Sequence, residues 1–107
     1  MKLLIGHIEQ LALGNSLNKI LNGVSVPDLE QRTGMTRTQL ERLRSRIAEL
    51  KTPVTVHLNE SEMRALEESL RLTLAEFNEE EFEARVGVEF SFGQALLETL
   101  REELTRS

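Results

Sequence analysis

A dense group of hydrogen-bonding side chains lies between residues 36 and 46. Leu40, Leu43 and Ile47 have the spacing of one buried stripe on a helix. The other faces of that helix would carry the polar residues, which are Arg37, Thr38, Gln39, Glu41, Arg42, Arg44, Ser45 and Arg46. Arginine can pair bidentately with guanine or with an anionic oxygen pair, and glutamine can pair with adenine. This stretch therefore has the chemistry to bind an anionic partner that is rich in hydrogen-bonding groups.

Catalytic and metal-binding chemistry is not indicated by the sequence. The two histidines, His7 and His57, are fifty residues apart, and there is no glycine-rich phosphate loop, nucleophile elbow or HExxH motif. Glutamates occur in runs at 67–68, 79–81 and 102–103, which are typical of solvated helix faces. We therefore expect a protein that is not an enzyme and that uses neither a metal ion nor a cofactor.

Charge is divided unequally along the 107 residues. Residues 1–52 contain eight Lys or Arg against five acidic residues, a net charge of +3, whereas residues 53–107 contain five Arg against thirteen Glu, a net charge of −8. An anionic partner would be attracted to the first region and repelled by the second. The chain lacks cysteine, and no apolar run approaches the ~20 residues that cross a bilayer, so we expect a cytoplasmic protein without membrane contact.

The first region is predicted to be helical. Residues 1–22 carry apolar positions typical of a helix, and the polar and glycine residues at 14–16 allow either one helix or two. Gly34 is placed to end a short second helix, since glycine is favoured just beyond a helix C-terminus. Thr36 is then expected to cap a longer helix over residues 37–50.

The second region begins at Pro53. Apolar and polar residues alternate over 54–58, which predicts a short half-buried strand, and no neighbouring segment has the pattern of a hairpin partner for it. Asn59 is expected to cap a long amphipathic helix. One or two further helices should follow, the last of them after Gly87.

Residues 16–50 resemble the helix-turn-helix domains of DNA-binding proteins. In that family a short helix and a glycine turn precede a recognition helix, and the apolar positions are fixed. The residues that carry the resemblance are Val26, Leu29, Gly34, Met35, Thr36, Leu40 and Leu43. Glu30 departs from the pattern, because the family usually has a small residue at that position.

The resemblance implies double-stranded DNA as the partner. In this motif the start of the second helix meets base edges in the major groove, which would place Arg37, Thr38 and Gln39 there. Arg42 and Arg46 would then hold phosphates. The residues that we predict to bind DNA are Thr36, Arg37, Thr38, Gln39, Glu41, Arg42 and Arg46.

Residues 53–104 are similar in pattern to ribbon-helix-helix proteins, among them accessory proteins of conjugative relaxosomes. Members of that family dimerise by pairing one strand from each subunit, so the resemblance implies a homodimer. The residues that we predict to form the dimer are Val54, Val56, Leu58, Phe92, Leu96 and Leu100. The outward strand residues, here Thr55 and His57, contact DNA in that family. Because this region is acidic, we expect it to dimerise without binding DNA.

The sequence thus predicts a mainly α-helical, dimeric protein in two regions. A helix-turn-helix region over 1–52 would bind DNA, and a dimerisation region over 53–107 would contain a short strand and two or three helices. The expected function is sequence-specific binding of duplex DNA, in transcriptional regulation or in maintenance of plasmid or phage DNA. One alternative is a ribbon-helix-helix relaxosome accessory whose strand contacts DNA. The other is an antitoxin- or inhibitor-type module whose acidic half binds a protein partner.

Overall fold

The computed structural model describes residues 1–106. Its elements are strand β1 (Lys2–Ile5), helix α1 (His7–Asn18), a π-helix (Lys19–Gly23), helices α2 (Leu29–Thr33) and α3 (Arg37–Ala48), strand β2 (Val54–His57), and helices α4 (Glu60–Glu76), α5 (Glu79–Val86) and α6 (Phe90–Arg106). The prediction of a mainly helical protein is confirmed. The strand that begins at residue 54 is also confirmed, and three helices follow it.

The two strands form a small antiparallel sheet, although α1, α2 and α3 separate them in the sequence. Leu3 lies opposite Val56 and Ile5 lies opposite Val54. The prediction that residues 1–22 are helical from their first residue is therefore wrong for β1. The apolar positions near the N-terminus fit a helical period, but the backbone of this segment satisfies its hydrogen bonds in β2. No segment close to β2 in the sequence pairs with it. Its partner is the N-terminal strand β1.

Helix α1 is continuous through the segment at 14–16. Its first turn is closed by the Glu9 carboxylate, which accepts a hydrogen bond from the Gly6 N–H at 2.8 Å. Leu13 and Leu17 are buried on its inner face, and Ser16 is buried as well. Burial of this face outweighs the low helix propensity of Gly14, which costs about 1 kcal/mol relative to alanine. Helix α1 passes directly into the π-helix at Lys19–Gly23. Of the two sequence alternatives, one helix or two, the single helix is therefore correct, and its last residues form a wider π-helical turn.

Helices α4 and α5 begin at side-chain caps. The Asn59 side chain accepts a hydrogen bond from the Glu62 N–H at 2.7 Å at the start of α4, as predicted. Asn78 does the same for α5, whose C-terminus is closed by Gly87 at φ +85°. Helix α6 packs against α4 and α5. A Cβ on Gly93 would lie only 2.7 Å from Cζ of Phe82, so glycine permits this close approach of α6 to α5.

One hydrophobic core joins residues from both predicted regions. It includes Leu13 and Leu17 of α1 together with Leu66 and Leu70 of α4. Helix α1 is central, since it packs against α3, α4 and α5. The boundary predicted at Pro53 separates two stretches of different charge, and in the structure these stretches share one sheet and one core. Helix α3 therefore packs on a core that contains elements from the whole chain.

Candidate nucleic-acid interface

The turn between α2 and α3 has the geometry that its glycine predicts. Gly34 has φ +76°, in the left-handed region, and its N–H donates to the Glu30 carbonyl at 2.8 Å. Thr33 and Met35 are buried on either side of it. The Thr33 hydroxyl donates to the Leu29 carbonyl at 2.8 Å, which satisfies the buried oxygen. Glu30 is exposed, so its carboxylate does not disturb the packing of this turn.

Thr36 caps α3 as the sequence predicts. Its hydroxyl accepts from the Gln39 N–H at 3.2 Å, and the Gln39 side-chain carbonyl accepts from the Thr36 N–H at 2.9 Å. This reciprocal pair is a capping box, and it occupies the Gln39 side chain at the helix start. The sequence-based prediction covered the Thr36 cap but not the part of Gln39 in it, which the Thr-x-x-Gln pattern at 36–39 indicates. Of the three residues expected to meet base edges, Gln39 therefore has a structural role in the free protein.

Arg37 is also engaged within the chain. Its guanidinium donates to the carbonyl of Leu21 in the π-helix and, at 3.4 Å, to the Asn22 side chain. It further lies 3.7 Å from the carboxylate of Glu41, one turn along α3. About half of the Arg37 side chain is exposed, at 55%, so the guanidinium has unused donors at the surface. These contacts hold the start of α3 against the π-helix.

Arg46 links α3 to the second region. Its guanidinium donates to the Glu62 carboxylate at 2.7 Å and to the His57 carbonyl at 2.9 Å. Because its guanidinium already donates to these two acceptors, Arg46 is less available to a phosphate than its exposure indicates. No sequence pattern marks this contact, since Arg46 and Glu62 lie in helices separated by β2.

The outer face of α3 is the surface that remains free. Thr38, Arg42 and Ser45 are exposed there, and they line a shallow depression of about 530 Å³ together with Glu41 and Glu49. Arg42 makes no hydrogen bond or ion pair within residues 1–106. Of the seven residues predicted to contact DNA, four line this depression: Thr38, Glu41, Arg42 and Arg46. Four of the seven have side chains engaged in hydrogen bonds within the chain: Thr36, Arg37, Gln39 and Arg46.

The sheet presents a second polar surface. Alternation along β1 and β2 puts Lys2 opposite His57 and Leu4 opposite Thr55, and all four residues are exposed. Leu4 is 67% exposed, which is high for a leucine. The outward strand residues that the ribbon-helix-helix pattern singled out are thus accessible, and Lys2 adds a cation that the sequence interpretation did not include.

The residues predicted to form the dimer are mostly buried within the chain itself. Val56, Leu58, Leu96 and Leu100 have exposures between 0% and 5%. Val54 and Phe92 are half-buried. The first four are therefore occupied by the core of the single chain, and a second copy would have to contact other residues.

Within the part of the chain that the structure describes, five glutamates of the second region form ion pairs with arginines of the same region: Glu60, Glu67, Glu68, Glu98 and Glu103. Glu67 accepts from Arg101 at 3.2 Å, across the contact between α4 and α6. Glu68 accepts from Arg71, and this hydrogen bond raises the pKa of the Arg71 guanidinium. Across residues 1–106, histidines and carboxylates form no cluster of three or more that could hold a metal ion. Ion pairs on helix faces thus account for part of the acidic surface, and the exposed glutamates of α5 at 79–81 are outside them.

Comparison of the chain with protein-family models, with curated proteins and with solved structures gives no significant match. Among the helices of residues 1–106, none is both long enough and apolar enough to span a bilayer.

Proposed function

We propose that the chain binds double-stranded DNA through α3, which would act as the recognition helix of a helix-turn-helix. The observation that carries this proposal is the free outer face of α3, which follows a glycine turn and a capped N-terminus. A helix of 12 residues with one exposed face fits the major groove of B-form DNA. The cellular role we propose is transcriptional regulation or maintenance of plasmid or phage DNA.

Thr38 and Arg42 are the residues that would make the first contacts. Both are exposed on the outer face, and Arg42 has no competing partner within the described residues. Arg42 would bind a backbone phosphate, which positions the helix without reading sequence. Arg37 would reach a base edge with the donors that its contacts to Leu21 and Asn22 leave free.

The electrostatics of this face predict weak binding by a single copy. Glu41 and Glu49 flank Arg42 in the same depression, and they oppose its attraction for a phosphate. The positive charge of residues 1–52 acts over a longer range and would supply most of the salt-dependent attraction. A homodimer with two recognition helices would raise the affinity, since both would engage one palindromic site.

The exposed face of the sheet supports a second candidate. A two-stranded antiparallel ribbon also fits the major groove, and here it offers Lys2, Thr55 and His57 as hydrogen-bonding side chains. This candidate differs from the ribbon-helix-helix alternative, in which each subunit contributes one strand. Here both strands of the ribbon, β1 and β2, come from the same chain. The exposed Leu4 between the polar residues could contact a thymine methyl group.

The acidic surface of α5 favours a third candidate, a module that binds a basic protein. Glu79, Glu80, Glu81 and Glu83 are all exposed along one short helix. Such a surface repels DNA and attracts cationic partners. An antitoxin- or inhibitor-type role would use this helix and would leave α3 unoccupied.

Titration of a fluorescently labelled mixed-sequence duplex with the full-length protein tests the proposal. Binding that weakens steeply with added salt is expected, because the contacts replace counterions on the phosphates. Absence of binding at low salt would contradict it. Selection of bound duplexes from a random pool would then show whether the binding is sequence-specific.

A further inference from the structure

A cavity with polar and apolar lining residues lies between α1 and α3, away from the outer face of α3. It has a volume of about 390 Å³. Its lining residues are Gln10, Leu11, Gly14, Asn15 and Asn18 of α1 and Arg44 and Ala48 of α3. This volume is in the range of small-molecule sites. No acidic side chain is among the described residues that line it. Space is available at its floor, because a Cβ on Gly14 would meet no atom within 4 Å.

Arg44 is the charged residue of this cavity. It follows Leu43 and lies one turn after Leu40, so it occupies the flank of α3 that turns toward α1 and not the flank of Arg42. Its Nε atom is buried and has no hydrogen-bond partner. Within residues 1–106, Arg44 forms no ion pair either. A buried guanidinium nitrogen without an acceptor is costly, and buried polar groups are nearly always satisfied by protein, water or a ligand.

The side-chain amides that line the cavity differ in whether their NH₂ groups already have an acceptor. The Asn18 carbonyl oxygen accepts from the Asn22 side chain at 3.1 Å, so the Asn18 NH₂ group remains free. In contrast, the Gln10 NH₂ group donates to the Ile47 and Leu50 carbonyls, both at 2.9 Å. The Asn15 NH₂ group also donates, to the Val86 carbonyl at 2.7 Å. Among the described residues, the side-chain groups of the cavity whose N–H donors have no partner are therefore those of Arg44 and Asn18, which together favour an acceptor with several oxygens.

We propose that this cavity binds the oxyanion group of a small molecule, either a phosphate or a carboxylate. The guanidinium of Arg44 would donate to two oxygens of the group, and the Asn18 amide would donate to one of them. A ligand held in this way would bridge α1 and α3 and would stabilise the position of α3 on the core. The site does not depend on DNA binding, because it lies on a different flank of the helix.

The test uses the full-length, DNA-free protein and two-dimensional ¹H–¹⁵N NMR. Inorganic phosphate is the probe in one titration and malonate is the probe in a second, with ionic strength held constant by sodium chloride. The side-chain Nε–Hε signal of Arg44 and the NH₂ signals of Asn18 should shift and saturate. The matched control is Arg32, an exposed arginine of α2 that lies outside the cavity, whose Nε–Hε signal should not saturate.

Two variants and one control variant extend the test. Arg44→Gln should weaken the saturable binding by about tenfold or more, since charge-assisted hydrogen bonds are the strongest contacts available there. Asn18→Asp should abolish it, because the new carboxylate would pair with the Arg44 guanidinium in place of the ligand. Arg32→Gln should leave the binding unchanged.

The outcomes separate the sources of the anion and decide the proposal. Saturation with phosphate alone identifies a phosphorylated ligand, saturation with malonate alone identifies a carboxylate, and either result supports the site. The proposal is overturned if neither anion gives saturable shifts at Arg44 in the wild-type protein, or if Arg32 shifts in parallel with Arg44. Both measurements omit DNA, so their failure is distinct from failure of the proposed function.

Discussion

The Arg46 guanidinium lies 2.7 Å from the Glu62 carboxylate and joins the recognition helix candidate, α3, to the first turn of α4. The same guanidinium donates to the His57 carbonyl, at the end of β2. One arginine thus connects three elements, and two of these belong to the region that the sequence assigned to dimerisation. This contact converts a predicted phosphate ligand into part of the scaffold that orients α3.

Replacing Arg46 should therefore affect folding more than the exposed position of the residue suggests. We predict that Arg46→Gln lowers the free energy of unfolding by about 0.5–1 kcal/mol, because a partly exposed ion pair and a hydrogen bond are lost. Urea denaturation monitored by circular dichroism measures this change. The matched control is Arg42→Gln, which should stay within about 0.5 kcal/mol of the wild type. Equal losses in both variants would show that the Glu62 contact does not stabilise the fold.

Two glycines offer a test with opposite signs. Gly34→Ala should destabilise the protein by about 1 kcal/mol, because φ is +76° in the turn and alanine is strained there. Gly14→Ala should stabilise it by about 0.5–1 kcal/mol, because Gly14 is inside α1 and the new Cβ meets no atom. Thermal unfolding of both variants under the same conditions should give a lower melting temperature than the wild type for Gly34→Ala and a higher one for Gly14→Ala. A destabilised Gly14→Ala variant would mean that α1 is not the continuous helix described here.

Thr36, which caps α3, is expected to contribute to the stability of the fold as well as to any contact with DNA. Thr36→Ala removes the acceptor for the Gln39 N–H and should cost about 1 kcal/mol of unfolding free energy. Thr38→Ala removes an exposed hydroxyl from the outer face and should leave stability within about 0.5 kcal/mol of the wild type. The urea concentrations at the midpoints of unfolding, compared between the two variants, measure this difference in stability. A Thr36→Ala variant as stable as Thr38→Ala would rule out the capping box as a stabilising feature.

The elements that sequence predicts well here are those defined by local chemistry. Thr36, Asn59 and Gly34 act within three or four residues of chain, so their caps and turn could be placed from the sequence alone. Strand β1 could not be placed in this way, because its partner β2 is about fifty residues away and its four residues are too few to establish an alternating pattern. The N-terminal apolar residues were therefore assigned to the helix that follows them.

In the candidate site, too, the sequence predicts what depends on nearby residues and misses what depends on distant ones. The sequence predicts which residues of α3 would bind an anion, and it places Leu40 and Ile47 correctly in the core. It does not show that Arg46 is bonded to Glu62 or that Arg44 is left without a partner, because both facts depend on how distant helices pack. Tertiary contacts thus decide which of several similar arginines is free to bind a ligand.

The expected homodimer requires a test that separates assembly from core packing. Leu100 is fully buried in the single chain, so Leu100→Ala should cost about 2–5 kcal/mol at every protein concentration. Urea denaturation at two widely separated concentrations measures this cost. A loss that changes with concentration would place Leu100 in an interface between copies. Light scattering of the wild-type protein at micromolar concentration reports the assembly itself, and we expect a dimer.

The central claim is that α3 binds duplex DNA, and a salt titration of the full-length protein tests it most directly. Fluorescence anisotropy with a labelled duplex would be recorded at about 50 and about 200 mM salt for three proteins: the wild type, Arg42→Gln, and the double variant Thr55→Ala with His57→Ala. We predict that Arg42→Gln weakens binding and reduces the salt slope by about 1, whereas the strand variant binds as the wild type does. Unchanged binding by Arg42→Gln together with loss of binding in the strand variant would contradict the claim and would move the DNA contact to the sheet.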